Sequence, residues 1–293
     1  MNMPNLSWLD QLDPVKLPEH EKVREQWVST FSKIHRIDIE TASTICDRET
    51  IYWKKSLSVD DKLKSCSKLS LYSAFLELAV NGLSLQPGSK SECFLEPRGT
   101  KSGKDQIGQD VYIQLCFLRI TAYGELNMRI MSGQIVRIKN PIVLYDGDHF
   151  QPLTDNRGQL IIEYKPVIPR KSNKIYGCWV CIELPGGSLD FKWLLIDDID
   201  RLKKYSTPKY ANAKPNALYA SENGGIDPGF LEAKTIKHAM RAYTKLRVGE
   251  NVAMDDEPDE VETLEDGPNQ PYGNPLPKNE NTIQFNIDPN ESF

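Results

Sequence analysis

Two short stretches of this 293-residue chain carry residue types that perform chemistry. Asp146-Gly147-Asp148-His149 sets two carboxylates and an imidazole within four positions, the donor types of a metal-dependent nuclease. Two-metal hydrolysis needs several carboxylates converging from neighbouring strands, and no matching acidic cluster flanks this one. Asp-Gly between two apolar runs is also a hairpin signal, so the stretch reads as a turn. A nuclease built on Asp146 and Asp148 stays as the enzyme alternative. Cys178-Trp179-Val180-Cys181 is the second stretch. In a strand, a spacing of three sends the two thiols to opposite faces, and no second pair completes a zinc set. No Gly-x-x-x-x-Gly-Lys-Ser/Thr run is present, so no ATP site of that kind is expected. The reading assigns no catalytic residue and no metal ligand. It expects no cofactor, and it neither requires nor excludes magnesium.

The stronger signal is positive charge. Lys234, Lys237, Arg241 and Lys245 recur every three or four residues, which on a helix lines them along one face. Like charges so stacked repel by a few tenths of a kcal/mol per pair, roughly, and a polyanion lying on them relieves that repulsion. Arg98, Lys101 and Lys104 sit in a glycine-containing stretch able to follow an irregular backbone. Such lysines supply salt-dependent, sequence-independent affinity for phosphate. Arg201, Lys203 and Lys204 form a third cluster, and Arg129, Arg137 and Lys139 a looser fourth. Of the aromatics near these clusters, Tyr112 and Phe117 lie in an alternating strand and read as core. Tyr123 reads as a stacking platform for a base, a contact worth roughly 1–3 kcal/mol. The bland alternative for each cluster is a solvated surface.

The overall charge of −5 hides this asymmetry. Residues 251–293 hold eleven Asp and Glu against one Lys, a net of −10. Residues 1–50 hold nine acids against six bases, a net of −3. The middle, 51–250, has 29 Lys and Arg against 21 acids, a net of +8. That pattern points to a polyanion for the middle and a separate role for the end.

The elements that must position these residues follow from periodicity. Residues 1–20, rich in Pro, Asp and Asn, are expected to be flexible. Val23, Trp27, Phe31 and Ile34 mark a helix from about Glu21 to Lys33, and a second covers Ile39 to Lys55. Ser58-Val59-Asp60-Asp61 starts a third helix that stops at Asn81-Gly82. Cys93 to Leu95 reads as a short strand ending at Pro97, Arg98 to Lys104 as a mobile basic hairpin loop, and Val111 to Leu118 as the return strand. A helix over Ala122 to Met131 leads to strands at Ile135–Ile138, Ile142–Tyr145, Leu160–Tyr164, Ile175–Leu184 and Leu189–Ile196, arranged as an antiparallel meander. A short helix, Asp197 to Tyr205, a long loop, and a basic helix from Phe230 to Val248 follow. The fold class is therefore α+β. N-terminal helices, a β-hairpin and an antiparallel sheet packed with helices make one domain over 21–250. Residues 251–293 form a disordered acidic tail, too poor in apolar residues to offset ordering entropy.

Three motifs, in order, resemble the RecT/Redβ family of phage-type single-strand-annealing recombinases. They are Gly82-Leu83-Ser84-Leu85-Gln86-Pro87-Gly88-Ser89, then Ser132-Gly133-Gln134-Ile135 with the strand closing in Tyr145-Asp146-Gly147-Asp148-His149-Phe150, and Glu232-Ala233-Lys234-Thr235-Ile236-Lys237. The resemblance spans about 35–248. It implies a protein that binds single-stranded DNA on a basic groove and anneals complementary strands in recombination, without ATP. It also implies assembly into rings or helical filaments, and a phage exonuclease and the host single-strand-binding protein as partners. Two departures stand out. Ala122-Tyr123-Gly124 has no basic residue where relatives carry one, and His238-Ala239 replaces paired arginines. The expected contacts there shift to Tyr123 and Arg241.

The rival to annealing is a passive single-strand-binding protein. For the tail, the readings are a DNA mimic over the groove, a recruitment segment for a replication partner, or a solubilising end. The six cysteines lack a disulfide-framework spacing, the N-terminus lacks a signal-peptide pattern, and no run reaches the roughly 18 apolar residues of a membrane span. The expected location is the cytoplasm of a bacterial or phage-infected cell, with no membrane partner.

Overall fold

The computed structural model describes residues 7–104, 107–206, 217–219, 225–243 and 252–254. The first of these correct the expectation of a flexible start. Ser7–Gln11 and Pro14–Glu19 form two 3-10 turns, the second capped by Asp13, which accepts from the Val15 amide at 3.0 Å. Leu9 and Leu17 are buried and the Trp53 indole donates to the Pro14 carbonyl at 3.0 Å. Composition without period suggested flexibility; two leucines reaching the core decide otherwise.

Helices α1 (Glu21–His35) and α2 (Ile39–Val59) follow as the spacing requires, burying Val23, Trp27, Phe31, Trp53 and Leu57. Ile34, in the last turn of α1, is 48% exposed. The expected third helix is two. Asp60 caps α3 (Asp61–Lys64), and Ser67 caps α4 (Lys68–Asn81). The break comes where the Ser67 amide donates to Gln114 O at 2.8 Å, pulling the backbone onto the neighbouring strand. Gly82 ends α4 at φ +65°, where a Cβ would meet His35 and Met131 at 2.7 Å. At the centre of this layer the Phe75 ring is tilted against Trp27 and meets Trp53 edge-on.

Strand β1 (Cys93–Lys104) does not stop at Pro97; it runs through it, antiparallel to β2 (Asp110–Ile120). Among the described residues β1 pairs only with β2, so the missing amide of Pro97 is tolerated on the outer edge. The basic stretch 98–104 is therefore a strand of a long arm, not a loop. α5 (Ala122–Met131) matches its expected bounds.

The meander is also corrected. β3 (Arg137–Ile138) and β4 (Ile142–Tyr145) pair successive parts of β7 (Ile175–Glu183), whose other edge pairs with β8 (Leu189–Leu195). β5 (His149–Thr154), unforeseen, and β6 (Leu160–Lys165) form a separate hairpin inserted between β4 and β7. Phe150 and Tyr164 of that hairpin meet Trp179 and Trp193 of the β7–β8 sheet, which holds it in place. α6 (Ile196–Tyr205) and α7 (Pro228–Met240) complete the second layer. α7 ends at Met240, eight residues short of the expected Val248; Lys245 lies outside the described residues. β9 (Val252–Met254) adds to β2 in parallel, so the assumed tail begins with a docked strand, while 255–293 lie outside the described residues.

Candidate nucleic-acid interface

α7 is the floor of the site. Asp227 caps it by accepting from the Phe230 amide at 2.8 Å, and Pro228 occupies its first turn, where no amide is needed. Ile236, Ala239 and Met240 pack with Leu126 of α5 and Val180 and Ile182 of β7. Leu231 packs with Leu194 of β8 and Ile199 of α6. Those apolar contacts fix the helix rotation, and the remaining face opens into two adjoining depressions. One is lined by Arg201, Lys234, Lys237, His238 and Arg241 over Leu194 and Leu202. The other is lined by Ser89, Ser91, Thr121, Tyr123, Phe230, Lys234 and Lys237. Lys234 and Lys237 border both, so the two form one trough between α5 and α6.

The tertiary fold thus joins two clusters far apart in sequence, Arg201 of α6 with Lys234, Lys237 and Arg241. Lys237 is not on an exposed stripe as expected. It is 6% exposed and forms the ridge between the depressions. Lys234 lies 5.2 Å from the centre of the Phe230 ring, and Arg201 pairs with Asp198 at 3.0 Å. Burial pushes the His238 imidazole below its ordinary value; Arg241, Arg201 and Lys192 push the same way, and Asp198 opposes them. Burial first, and the neighbouring cations next, thus disfavour the imidazolium form of His238. Sequence reasoning counted it as a missing arginine, and only the proximity of α6 shows its place in the site. Tyr123 lines the trough half-buried, its hydroxyl pKa raised by burial first and by Glu232 next. The wall beside it is built tightly. Thr121 caps α5 by accepting from the Gly124 amide at 3.2 Å and donates to Ser91 O at 2.6 Å. A Cβ at Gly124 would lie 2.1 Å from Glu92 O, which explains a glycine there.

A second basic region rises from the rim. β1 starts two residues after Ser91 and β2 ends one residue before Thr121, so the arm projects from the trough edge. At about 3.3 Å per residue, its Lys101–Tyr112 pair stands about 30 Å out. Lys101 pairs with Asp110 at 2.7 Å, Arg98 pairs with Glu96 at 3.0 Å and lies over Phe117, and Lys104 is exposed. Tyr112 is not core; it is 53% exposed opposite Lys101, a basic–aromatic pairing that strand alternation concealed.

Other expected contacts are not brought to the trough. Arg129 is 2% exposed and pairs with the equally buried Glu125 at 3.2 Å, one helical turn away. It holds α5 rather than a phosphate, and its carbonyl receives the amide of Gln134 as the chain turns at Ser132-Gly133. Arg137 pairs with Glu183 at 2.6 Å at the far end of β7, with exposed Lys139 beside it. Lys203 and Lys204 sit past the trough on α6, Lys204 exposed.

The first sequence motif is structural. The buried Glu49 carboxylate accepts from Ser84 Oγ at 2.7 Å and the Leu85 amide at 2.8 Å, while Glu92 accepts from the Ser84 amide at 2.9 Å. Burial raises the Glu92 pKa. Asp148 likewise forms a turn, accepting from the amides of Tyr145 at 3.0 Å and Val167 at 2.9 Å. No group of three or more His, Cys, Asp or Glu suited to a metal occurs among the described residues. Cys178 and Cys181 are buried thiols, Cys178 pushed by burial up to about 12.

A sequence profile described as "RecT family" matches residues 50–268, most of the chain and every part of the trough and arm. The chain belongs to the RecT family. RecT proteins act in recombination by binding single-stranded DNA and annealing it, and this chain shares that general role. No curated protein matches its sequence. Within the RecT match, the Glu232–Lys237 motif contributes both core residues and trough cations, whereas the Gly82–Ser89 motif builds the wall. No helix among the described residues is long and apolar enough to cross a membrane.

Proposed function

We propose that the trough over α7, extended by the β1–β2 arm, grips the sugar-phosphate backbone of one DNA strand and leaves its bases open to a complementary strand. The observation that carries this reading is the convergence of Arg201, Lys234, Lys237 and Arg241 around His238 beside Tyr123. Lys237 is buried and Lys234 partly so, and such charges attract a phosphate more strongly than the same charges in bulk water, because local dielectric screening is weaker, while Arg201 and Arg241 stand exposed at the edge. Backbone contacts carry no sequence information, so Watson–Crick edges stay available. Arg98, Lys101 and Lys104 neutralise phosphates farther along, and Tyr112 and Tyr123 offer ring faces to bases.

On this reading the protein works without ATP or another cofactor, does not hydrolyse its substrate, and acts as a homo-oligomeric ring or filament. It receives single strands from an exonuclease and works alongside a host single-strand-binding protein. A chain of aligned troughs would let pairing propagate. The test is pairing of complementary oligonucleotides, without nucleotide and with and without magnesium. Acceleration is expected in both conditions. Slower pairing than in buffer would make the protein a passive coat, and magnesium-dependent strand loss would make it a nuclease.

A further inference from the structure

The turn Asp146-Gly147-Asp148 holds a basic loop that belongs to neither the trough nor the arm. Asp148 accepts from the amides of Tyr145 at 3.0 Å and Val167 at 2.9 Å, and the Asp146 amide donates to the Lys174 carbonyl at 2.9 Å. The segment 165–174 is thereby tied near both ends to the β4–β5 turn. It contains four cations, Lys165, Arg170, Lys171 and Lys174, and no acid. Lys165 pairs with Glu163 at 2.6 Å. Arg170, Lys171 and Lys174 are exposed and form no ion pair among the described residues. Arg170 lies over the Tyr145 ring, 3.4 Å from its centre, so stacking positions its charge instead of leaving it to swing in solvent. Of the turn's carboxylates, Asp148 is engaged by the two amides and Asp146 is exposed.

The loop is brought to the side of the sheet that carries the trough. Tyr145, on which Arg170 rests, packs in the apolar cluster that includes Leu194, Leu202 and Phe230, and those three residues line the trough. Along β7, Lys174 stands four residues before Cys178, whose partner on β8 is Leu194. The end of the loop is thus roughly 13 Å along the strand from the point where β8 enters the trough. The major groove of a duplex is about 12 Å wide, so a duplex with one backbone in the trough carries its other backbone at a comparable separation. We infer that Arg170, Lys171 and Lys174 hold the backbone of the incoming complementary strand while a strand already in the trough pairs with it. This rests on the trough being the site of the first strand. Two polyanions brought to that spacing repel, and cations lying under the first strand are too far away and too well screened to offset the charge of the second. A separate set of positioned cations does so. Their exposure suits the task, because solvent-facing charge speeds encounter more than it adds to affinity.

The experiment uses the full chain in three forms: unaltered, with the loop neutralised (Arg170→Gln, Lys171→Gln, Lys174→Gln), and with the trough reversed (Lys234→Glu, Arg241→Glu). Two quantities are read over a salt series centred on about 0.15 M, where the screening length is about 8 Å. One is affinity for a labelled oligothymidine, by anisotropy. The other is the rate at which a preloaded fluorescent strand pairs with a complement carrying a quencher. Neutralising the loop leaves oligothymidine affinity within about twofold, because the loop lies beyond the screening length. It slows pairing about tenfold. It also lowers the salt slope of the pairing rate by about 2 to 3, close to one for each phosphate no longer met. Trough reversal weakens oligothymidine binding itself. If loop neutralisation weakens oligothymidine binding as much as it slows pairing, the loop lies on the path of the first strand; if it changes neither, the loop takes no strand. Either result refutes the second-strand site and leaves the trough reading standing. If trough reversal leaves oligothymidine affinity unchanged, the trough reading is refuted, and the second-strand site with it. Should loss of the Arg170 stack unfold the chain, as judged by circular dichroism, Lys171→Gln with Lys174→Gln replaces the triple form, with an expected slope change of about 2.

Discussion

The trough and the arm carry similar numbers of cations and use them differently. In the trough, Lys234 and Lys237 sit on a helix whose rotation is set by Leu231, Ile236 and Met240, and Lys237 is almost wholly covered. On the arm, Lys101 and Lys104 stand on a two-stranded ribbon in water, Lys101 already paired with Asp110. Charge in the first place is pre-positioned and weakly screened; in the second it is mobile in solvent and strongly screened. Equal counts of lysine therefore do not mean equal affinity. The trough should set how tightly a strand is held, and the arm how far the grip extends.

That contrast can be broken in several ways. The largest effect is expected where sequence placed a DNA contact and the fold placed an ion pair. Arg129→Ala removes the guanidinium paired with the buried Glu125 and should cost about 3–5 kcal/mol in urea unfolding. The DNA salt slope of the protein that remains folded should be unchanged; a reduced slope would return Arg129 to the interface. Next, Lys234→Glu with Arg241→Glu should weaken binding of single strands about a hundredfold at low salt. It should also lower the salt slope by about 2, one for each phosphate no longer neutralised. Lys101→Glu with Lys104→Glu should weaken binding only about tenfold, with Tyr112→Ala adding a loss of roughly 1–3 kcal/mol if a base stacks there. An arm substitution matching the trough loss would erase the distinction.

The smallest effect sharpens it. The His238 pKa lies below 6.5 in the free protein, so the unfolded chain binds the proton more readily. Stability from this group is present above pH 6.5 and is lost as pH falls below it. A bound phosphate favours the imidazolium. DNA affinity should therefore rise as pH falls from 7.5 to about 5.5. His238→Gln should flatten that rise in anisotropy titrations. A rise that survives the substitution would place the titrating group elsewhere.

Much of the secondary structure was legible. Glycine at 82 and the cap at Thr121 mark their helix ends through local backbone chemistry, and the apolar stripe of Val23, Trp27 and Phe31 needs only a 3.6-residue period. Pro97 misled, because proline ends a central strand but not an edge, and being an edge is a property of the assembled sheet. The docking of Leu9 and Leu17 was hidden by their polar neighbours. In the site, Lys234, Arg241 and Arg201 are legible as cations by residue type alone, but their meeting is not. His238 and Tyr112 were passed over, one for lacking a fixed charge and the other for alternating like a core residue.

Helix and strand identity, the basic middle and acidic end, and kinship with the RecT family were written in residue order, since each depends on near neighbours or on type alone. Which lysine is covered, which arginine is neutralised by a carboxylate one turn away, and which clusters share a trough depended on residues up to dozens of positions apart. Burial and distance set the strength of a charge, and neither exists until the layers pack.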